Sequence, residues 1–287
     1  MNSTAVIHPI FDHDSHTITY VISDPVTKKA AIIDSVLDYN HKNVTTDTTL
    51  ADELITYLKE NDLEVEWILE THMHADHISA SSYLQEKVGG KKAIGNKITE
   101  VQVYLKEVFD LNDNFKIDGS QFDHLFSDGE VFKVGTLLAR AIHAPGHTPA
   151  DMVYVIDGAL FTGDTLLAPD SGTARCDFPG GNAETMYASV RKVLEALPVS
   201  TPMYICHDYP ESKERALVYK TSVGEQREKN IHVRDGVSRD DFVKMRTERD
   251  KTLDLPTYIF PAVQINGNAG SLVPGEFIKL SYNKKVL

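Results

Sequence analysis

The sequence predicts a layered α/β fold, because stretches typical of β-strands and of α-helices follow one another in a mixed order along the chain. Several predicted strands end at a histidine or an aspartate, which would gather polar side chains at one edge of the sheets. The chain has 287 residues, of which 41% are hydrophobic, so it can bury a large core. We therefore look for the function at the polar edge.

The N-terminal part is predicted to form a small sheet covered by a helix. Three short strands, at residues 5–11, 17–22 and 29–34, are separated by turn-forming sequences. A helix that begins at Asp47 or Thr48 follows, and its leucines and isoleucine recur at the spacing of one apolar stripe. This stripe would pack the helix against the sheet.

The next predicted strand, residues 65–70, runs into the polar segment 71–77, Thr-His-Met-His-Ala-Asp-His, and another helix begins near Ser79. The segment therefore lies on a loop between a strand and a helix. Two histidines at positions i and i+2 after a strand can converge on one metal ion, while the residues that follow turn towards another. The candidate ligands in this loop are His72, His74, Asp76 and His77.

Later parts of the chain repeat the pattern of a polar residue after a strand or a glycine. Asp157-Gly158 predicts a hairpin between strands at residues 152–156 and 159–162. The other predicted features are a helix capped by Asn182, a strand at residues 203–206, a polar boundary at residues 221–236 and a helix capped by Ser238. The further candidate ligands are His147, Asp164 and His207. A set of exposed polar turns would not explain this recurrence at strand ends, where unpaired polar groups are costly.

Composition argues against several classes of partner. The formal net charge of −13 would repel nucleic acid and anionic lipid, so we expect neither as a partner. The N-terminus has no basic segment followed by an apolar run, and no run approaches membrane-spanning length, so we expect a cytoplasmic protein. The two cysteines, Cys176 and Cys206, fit a reducing compartment better than a disulfide framework.

The candidate ligands, taken in their order along the chain, resemble the motif pattern of the metallo-β-lactamase superfamily. That pattern is His-x-His-x-Asp-His, then Gly-His, then Gly-Asp, then a late His. The resemblance implies an α/β fold of the αββα sandwich type, with two facing mixed sheets and outer helices. It also implies a single domain over residues 1–287, with residues 211–287 as a C-terminal extension packed on it. By the family pattern, a first metal would be held by His72, His74 and His147, and Asp164 would bridge to a second metal held by Asp76, His77 and His207.

Residues 172–181, Gly-Thr-Ala-Arg-Cys-Asp-Phe-Pro-Gly-Gly, resemble the persulfide dioxygenase branch of this superfamily. The resemblance implies oxidation of glutathione persulfide by O2 to sulfite and glutathione at one Fe(II) per chain. That iron would be held by His72, His147 and Asp164, since two imidazoles and one carboxylate leave positions open for sulfur and O2. The remaining pattern residues, His74, Asp76, His77 and His207, would hold no second metal, although their spacing leaves a dinuclear zinc or iron site open.

The resemblance also implies how the chain would support the metal and bind the substrate. Asp208 and His74 would act as supporting catalytic residues that orient ligands or water. An acidic protein that binds the two carboxylates of glutathione needs local cations. The predicted substrate contacts are Arg175, Tyr209, Arg246 and Arg249. For the two arginines near residue 250, a solvated charged helix face is the competing interpretation.

Three other functions remain open from the sequence. The main alternative is a dinuclear zinc thioester hydrolase of the glyoxalase II type, with the same ligands and fold; the loop at residues 173–178 argues against it. A β-lactamase is disfavoured because the chain lacks an export signal. A non-catalytic sulfur or metal sensor is disfavoured because the sequence shows no DNA-binding motif or basic patch. The family resemblance further implies a homodimer or homotetramer.

Overall fold

The computed structural model describes residues 5–111, 113–210 and 214–271, and its first sheet has six strands. In spatial order these are β1 (Val6–Phe11), β2 (Ile18–Ser23), β3 (Lys29–Ile33), β6 (Glu64–Leu69), β8 (Lys91–Gly95) and β9 (His124–Phe126). The first three strands are antiparallel, whereas β3, β6, β8 and β9 run parallel to one another. The sheet is therefore mixed, as predicted.

The second sheet also has six strands. In spatial order these are β10 (Val131–Val134), β11 (Leu137–His143), β12 (Met152–Ile156), β13 (Ala159–Phe161), β14 (Pro202–Tyr204) and β15 (Lys220–Ser222). All neighbours are antiparallel except β13 and β14, which are parallel. The predicted hairpin is confirmed: both Asp157 and Gly158 have positive φ, which a two-residue turn of this kind requires.

The hydrophobic core lies between the two sheets. Alternate residues of β2, Tyr20 and Ile22, point into this core with Tyr154 and Phe161 of the second sheet, while Val21 points to the opposite face. This alternation is the two-residue period of a strand whose two faces are both buried.

Helices cover the outer faces of both sheets. The helices in the described ranges are α1 (Thr49–Glu60), α2 (Ser81–Val88), α3 (Ile98–Val108), α4 (Ala183–Ala196), α5 (Val223–Lys229), α6 (Arg239–Asp250) and α7 (Ile259–Asn266). Helices α1 and α2 pack on the first sheet, and α4 and α6 on the second. The predicted αββα sandwich is confirmed. No helix within the described ranges is long and apolar enough to cross a membrane.

The predicted caps of α4 and α6 are confirmed, whereas the N-cap residue of α1, Thr48, makes no side-chain capping hydrogen bond, and the predicted boundary is wrong. The side chain of Asn182 accepts from the backbone N–H of Thr185, and Ser238 caps α6 in the same way. Residues 221–236 are not a boundary, because they contain part of β15 and all of α5. The division into one domain with an extension at 211–287 stays a prediction, and residues 211–213 and 272–287 lie outside the described residues.

A short third sheet holds the chain near the polar edge. It consists of β5 (Thr45–Asp47), β4 (Val36–Asn40) and β7 (Ile78–Ser79), all antiparallel. Because β7 directly follows the polar segment 71–77, pairing with β4 ties the end of that segment to the chain that leaves β3.

Candidate metal centre

The candidate ligands from both sheets meet at one end of the sandwich. The segment 71–77 follows β6, and Asp164 follows β13 after one turn at Gly163. Gly163 has φ of +50°, and a Cβ there would lie 2.5 Å from the Thr71 hydroxyl, so glycine is required where the two loops touch. The fold therefore brings the polar ends of the two sheets into contact.

His72, His147 and Asp164 form a compact three-ligand group. The Nε2 atoms of His72 and His147 lie 3.8 and 3.6 Å from Asp164 Oδ2, and all three donor atoms are within 4.8 Å of one another. Atoms that each sit about 2.0–2.2 Å from one ion are at most roughly 4.4 Å apart, so only a small adjustment would let this group hold a metal. The donor set therefore fits a transition metal ion.

Hydrogen bonds fix the tautomers that metal binding needs. His147 Nδ1 donates to the backbone oxygen of Arg175 at 2.7 Å, because a carbonyl can only accept. The Thr71 hydroxyl donates to Asp34 at 2.9 Å, so it accepts from His72 Nδ1 at 3.0 Å. Both imidazoles thus carry their proton on Nδ1 and leave the Nε2 lone pair for an ion. Burial, aided by the charge on His74, also holds the pKa of His72 well below its usual range.

A second group lies beside the first. Its members are His74, Asp76, His77 and His207, which offer donor atoms within 4.8 Å of one another. Among the described residues, His74 Nδ1 and His77 Nε2 are buried without a hydrogen-bond partner. Two buried nitrogens left without partners in this way are suited to a second ion.

His207 connects the two groups. Its Nδ1 is 2.6 Å from Asp164 Oδ1, and its Nε2 is 2.9 Å from Asp76 Oδ2. Burial opposes protonation, but the two carboxylates outweigh it and hold the pKa of His207 well above its usual range. A protonated His207 would therefore place a positive charge where the second ion would otherwise be held.

Two acidic residues behind the ligands were missed by the sequence analysis. Asp34 Oδ1 lies 3.0 Å from His74 Nε2, and Glu70 Oε2 lies 3.5 Å from the same atom. Against the effect of burial, these carboxylates raise the pKa of His74 to about 9. Asp34 follows β3 directly, so the pattern of a polar residue at a strand's end could have identified it.

The structure does not place Asp208 among the ligands. Its buried carboxylate accepts two hydrogen bonds from Arg215, both at 2.8 Å, and one from the backbone N–H of Val218 at 2.7 Å. Asp208 therefore anchors the chain that follows His207 through Arg215 and Val218, and its role in orienting ligands or water stays a prediction. Its side chain is committed to this ion pair.

A cavity of about 540 Å³ opens beside the metal centre, and its walls include His147 and Asp164 together with all four predicted substrate contacts, Arg175, Tyr209, Arg246 and Arg249. A cavity of this size suits a small-molecule substrate. The fold thus brings the predicted contacts to the ligands, although they come from distant parts of the chain.

The three arginines of this cavity differ in their partners. Arg175 forms a bidentate pair with Asp177, at 2.6 and 2.8 Å, and donates to the backbone oxygen of Asp254. Arg246 is buried and pairs with Asp250. Within the described part of the chain, no carboxylate pairs with Arg249, which is exposed. Arg246 is thus not a solvated residue, and it already holds a carboxylate of its own chain.

Both cysteines are buried. Burial raises the pKa of the Cys176 thiol and of the Cys206 thiol far above the usual value. Burial therefore disfavours the reactive thiolate form of both sulfurs.

Fold and site together define a metal-dependent enzyme with a histidine- and aspartate-rich centre at the edge of an αββα sandwich. The family model of the metallo-beta-lactamase superfamily matches residues 15–206, and the chain belongs to that superfamily. Over 286 residues, 99% of this chain and 97% of the other protein, it is 49% identical to glyoxylase B2 of Dictyostelium discoideum.

Two further comparisons concern persulfide dioxygenases. The chain is 28% identical over 271 residues to the mitochondrial persulfide dioxygenase ETHE1 of Bos taurus, which covers 94% of this chain and 90% of that protein. The crystal structure of ETHE1 from Myxococcus xanthus matches with a TM-score of 0.74 and 30% identity, over 93% of this chain and 100% of that chain. The predicted resemblance to the superfamily and to its persulfide dioxygenases is confirmed.

Proposed function

We propose that the protein is a persulfide dioxygenase that oxidises glutathione persulfide with O2 to sulfite and glutathione. The observation that carries the proposal is the three-ligand group His72, His147 and Asp164, since two histidines and one carboxylate are typical of non-haem Fe(II) oxygenases. The similarity to ETHE1 proteins over most of the chain supports it.

In this proposal His72, His147 and Asp164 would hold one Fe(II), which would supply the redox chemistry that brings the substrate sulfur and O2 together. The chain keeps both imidazoles in the tautomer with Nδ1 protonated, through Thr71 and the Arg175 carbonyl. His207 lies 2.9 Å from Asp76 and 2.6 Å from Asp164, and these two contacts would occupy both of its ring nitrogens when the second group holds no metal.

The substrate would occupy the cavity beside the metal centre. Arg249 is the cation best suited to a glutathione carboxylate, because it is exposed and the carboxylates near Arg175 and Arg246 already neutralise those two. Tyr209 lines the same cavity. We further expect a cytoplasmic enzyme that acts as a homodimer or homotetramer and binds neither nucleic acid nor membrane.

A dinuclear zinc thioester hydrolase of the glyoxalase II type is the second candidate. The buried nitrogens His74 Nδ1 and His77 Nε2 favour it, because a second ion would satisfy both. The higher identity to glyoxylase B2 also favours it. In this alternative both ligand groups hold zinc, and Asp164 lies between them.

Oxygen uptake by the metal-loaded protein tests the proposal. Metal-free protein is loaded anaerobically with Fe(II) or with Zn(II), and O2 consumption and sulfite are measured after addition of glutathione persulfide. We expect uptake with iron only, a loss of more than about 100-fold in His147→Ala because one of three ligands is removed, and no change in His124→Ala, a histidine on β9 away from the centre.

A different result would assign the second candidate function. No uptake with iron, together with zinc-dependent cleavage of S-lactoylglutathione and close to two zinc ions per chain, would assign the hydrolase instead. Metal content is measured on the same samples by elemental analysis, so that failure to load is distinguished from absence of activity.

A further inference from the structure

We propose that Asp250 is a positioning residue for the metal ligand His147 and that it acts through the peptide group between Arg175 and Cys176. The inference rests on the metal centre described above, whichever reaction that centre performs. The proposal assigns a function to Asp250, a buried residue of α6 that is not part of the ligand motifs of the family.

The first step is the geometry of one peptide group. The carbonyl oxygen of Arg175 accepts from His147 Nδ1 at 2.7 Å, and the N–H of Cys176 donates to Asp250 Oδ2 at 2.9 Å. These two atoms belong to the same planar trans peptide, so the C=O and the N–H point in opposite directions. A continuous line of hydrogen bonds therefore runs from the carboxylate through the peptide to the imidazole.

The second step is the rigidity of the carboxylate. Arg246 Nε donates to Asp250 Oδ1 at 2.7 Å, and Arg246 Nη1 donates to the backbone oxygen of Thr173 at 3.1 Å. Asp250 and Arg246 are 4% and 1% exposed, so little water competes for these hydrogen bonds. The pair thus holds the loop at Thr173 and at Cys176, on both sides of Arg175.

The position of Asp250 in its helix is a separate argument. Asp250 is the last residue of α6, where the helix dipole disfavours a negative charge and favours a positive one. Helix stability alone would therefore not select aspartate here. The contact with the Cys176 amide supplies a reason for its presence.

The consequence for His147 is electrostatic as well as geometric. A charged acceptor on the Cys176 N–H polarises the peptide and strengthens the Arg175 carbonyl as an acceptor. A stronger acceptor holds the Nδ1 proton of His147, fixes the orientation of the ring and makes Nε2 a better donor to a metal. Asp250 thus acts on the ligand from two hydrogen bonds away.

The test compares Asp250→Asn with Asp240→Asn, which makes the same charge change at an exposed position in the first turn of the same helix. Metal-free proteins are titrated with Co(II) against a competing chelator, and the shifted Nδ1–H proton resonance of His147 is followed in the Co(II) protein. The two donors, Arg246 Nε and the N–H of Cys176, use different oxygens of Asp250, and asparagine replaces one of these oxygens with an NH2 group that cannot accept. We expect about tenfold weaker Co(II) binding and a displaced or exchange-broadened resonance only in Asp250→Asn.

A double variant provides a second test in case Asp250→Asn alone does not fold. Arg246→Met combined with Asp250→Asn leaves no unpaired buried charge, so it keeps the fold if charge imbalance is the only problem. It should also weaken Co(II) binding, because the charge behind the peptide is gone. Co(II) affinity within twofold of the parent, together with an unmoved His147 resonance, in either folded variant would overturn the proposal. This result would leave the assigned reaction untouched, because O2 uptake and thioester cleavage are measured independently.

Discussion

Arg246 and Arg249 lie one helical turn apart on α6, yet their surroundings give them different tasks. Arg246 is enclosed and neutralised by Asp250, whereas Arg249 stands at the rim of the cavity. The sequence predicts both as substrate contacts. Only the packed structure distinguishes the arginine that holds the protein's own carboxylate from the one that can meet a ligand's.

Replacement of Arg249 tests its proposed contact with glutathione. We expect Arg249→Gln to raise KM for glutathione persulfide several-fold with kcat unchanged, because the contact is made equally in the ground and transition states. Steady-state O2 uptake measures both constants. Arg239→Gln, an exposed arginine at the start of the same helix, is the matched control. An unchanged KM in Arg249→Gln would remove this residue from the substrate site.

The seven candidate ligands could be identified from sequence for a physical reason. Each lies in a segment after a strand or directly after a glycine. The ends of neighbouring strands meet at one edge of a sheet, so the local sequence was enough to predict that these residues lie together. Asp250 could not be found in this way, because its link to His147 depends on how α6 packs against the loop at residues 172–178. Asp208 shows the reverse case, a residue beside a ligand in sequence whose side chain points to Arg215.

At the scale of elements, two loops must pack closely to place His147. A Cβ on Gly181 would lie 2.5 Å from the backbone oxygen of Cys176 and 2.8 Å from that of His147. Both neighbours are backbone atoms, which cannot rotate away as a side chain could. The loop that carries His147 therefore depends on the absence of a side chain at this glycine.

We expect Gly181→Ala to push these loops apart and weaken metal binding. Overpacking of this kind costs roughly 1–3 kcal/mol of stability. Gly129→Ala is the control, since nothing lies within 4 Å of its Cβ, although its positive φ adds strain. Chemical unfolding and Co(II) titration of both variants separate the effects: both should lose stability, but only Gly181→Ala should lose metal affinity. Equal affinities would contradict the close-packing argument.

Some elements were predicted closely and others were not predicted at all. Strands β1, β2, β3 and β6 and the hairpin of β12 and β13 have apolar runs bounded by turn residues, and their bounds agree to within about one residue. Strands β8, β9 and β11 and helix α3 were not predicted. Strands β5 and β7 have three and two residues, too few for a period to show. Strand β15 is similarly short, and only its pairing with β14 shows that it belongs to the second sheet. The sequence does not reveal this pairing, which explains the wrong boundary at residues 221–236.

At the scale of the whole molecule, Asp24 joins the two sheets. It lies in the turn after β2, and its carboxylate accepts from the backbone N–H and the hydroxyl of Thr136, in the turn between β10 and β11, at 2.7 and 2.6 Å. Thr27 and Val26 donate to the same carboxylate. Burial opposes ionisation, but these hydrogen bonds outweigh it and hold the pKa of Asp24 well below its usual range.

The stability contribution of Asp24 should therefore depend on pH. Because its pKa is lower in the folded state than the unfolded value of 3.8, the contribution is present above that pH and is lost as the pH falls below it. We expect Asp24→Asn to cost about 1–3 kcal/mol at pH 7 and less at pH 3, measured by urea unfolding. Asp14→Asn, at an exposed position, is the control. A cost that is independent of pH would contradict this assignment.

The burial of Cys176 and Cys206 has a consequence for the proposed persulfide dioxygenase function. A persulfide can pass its outer sulfur to any accessible thiolate, and such transfer to the enzyme itself would consume substrate and modify the protein. Because both thiols are buried and burial raises the pKa of each, neither offers an accessible thiolate to that side reaction. Under the proposed function, the enzyme would therefore tolerate high concentrations of a substrate that modifies proteins with exposed thiols.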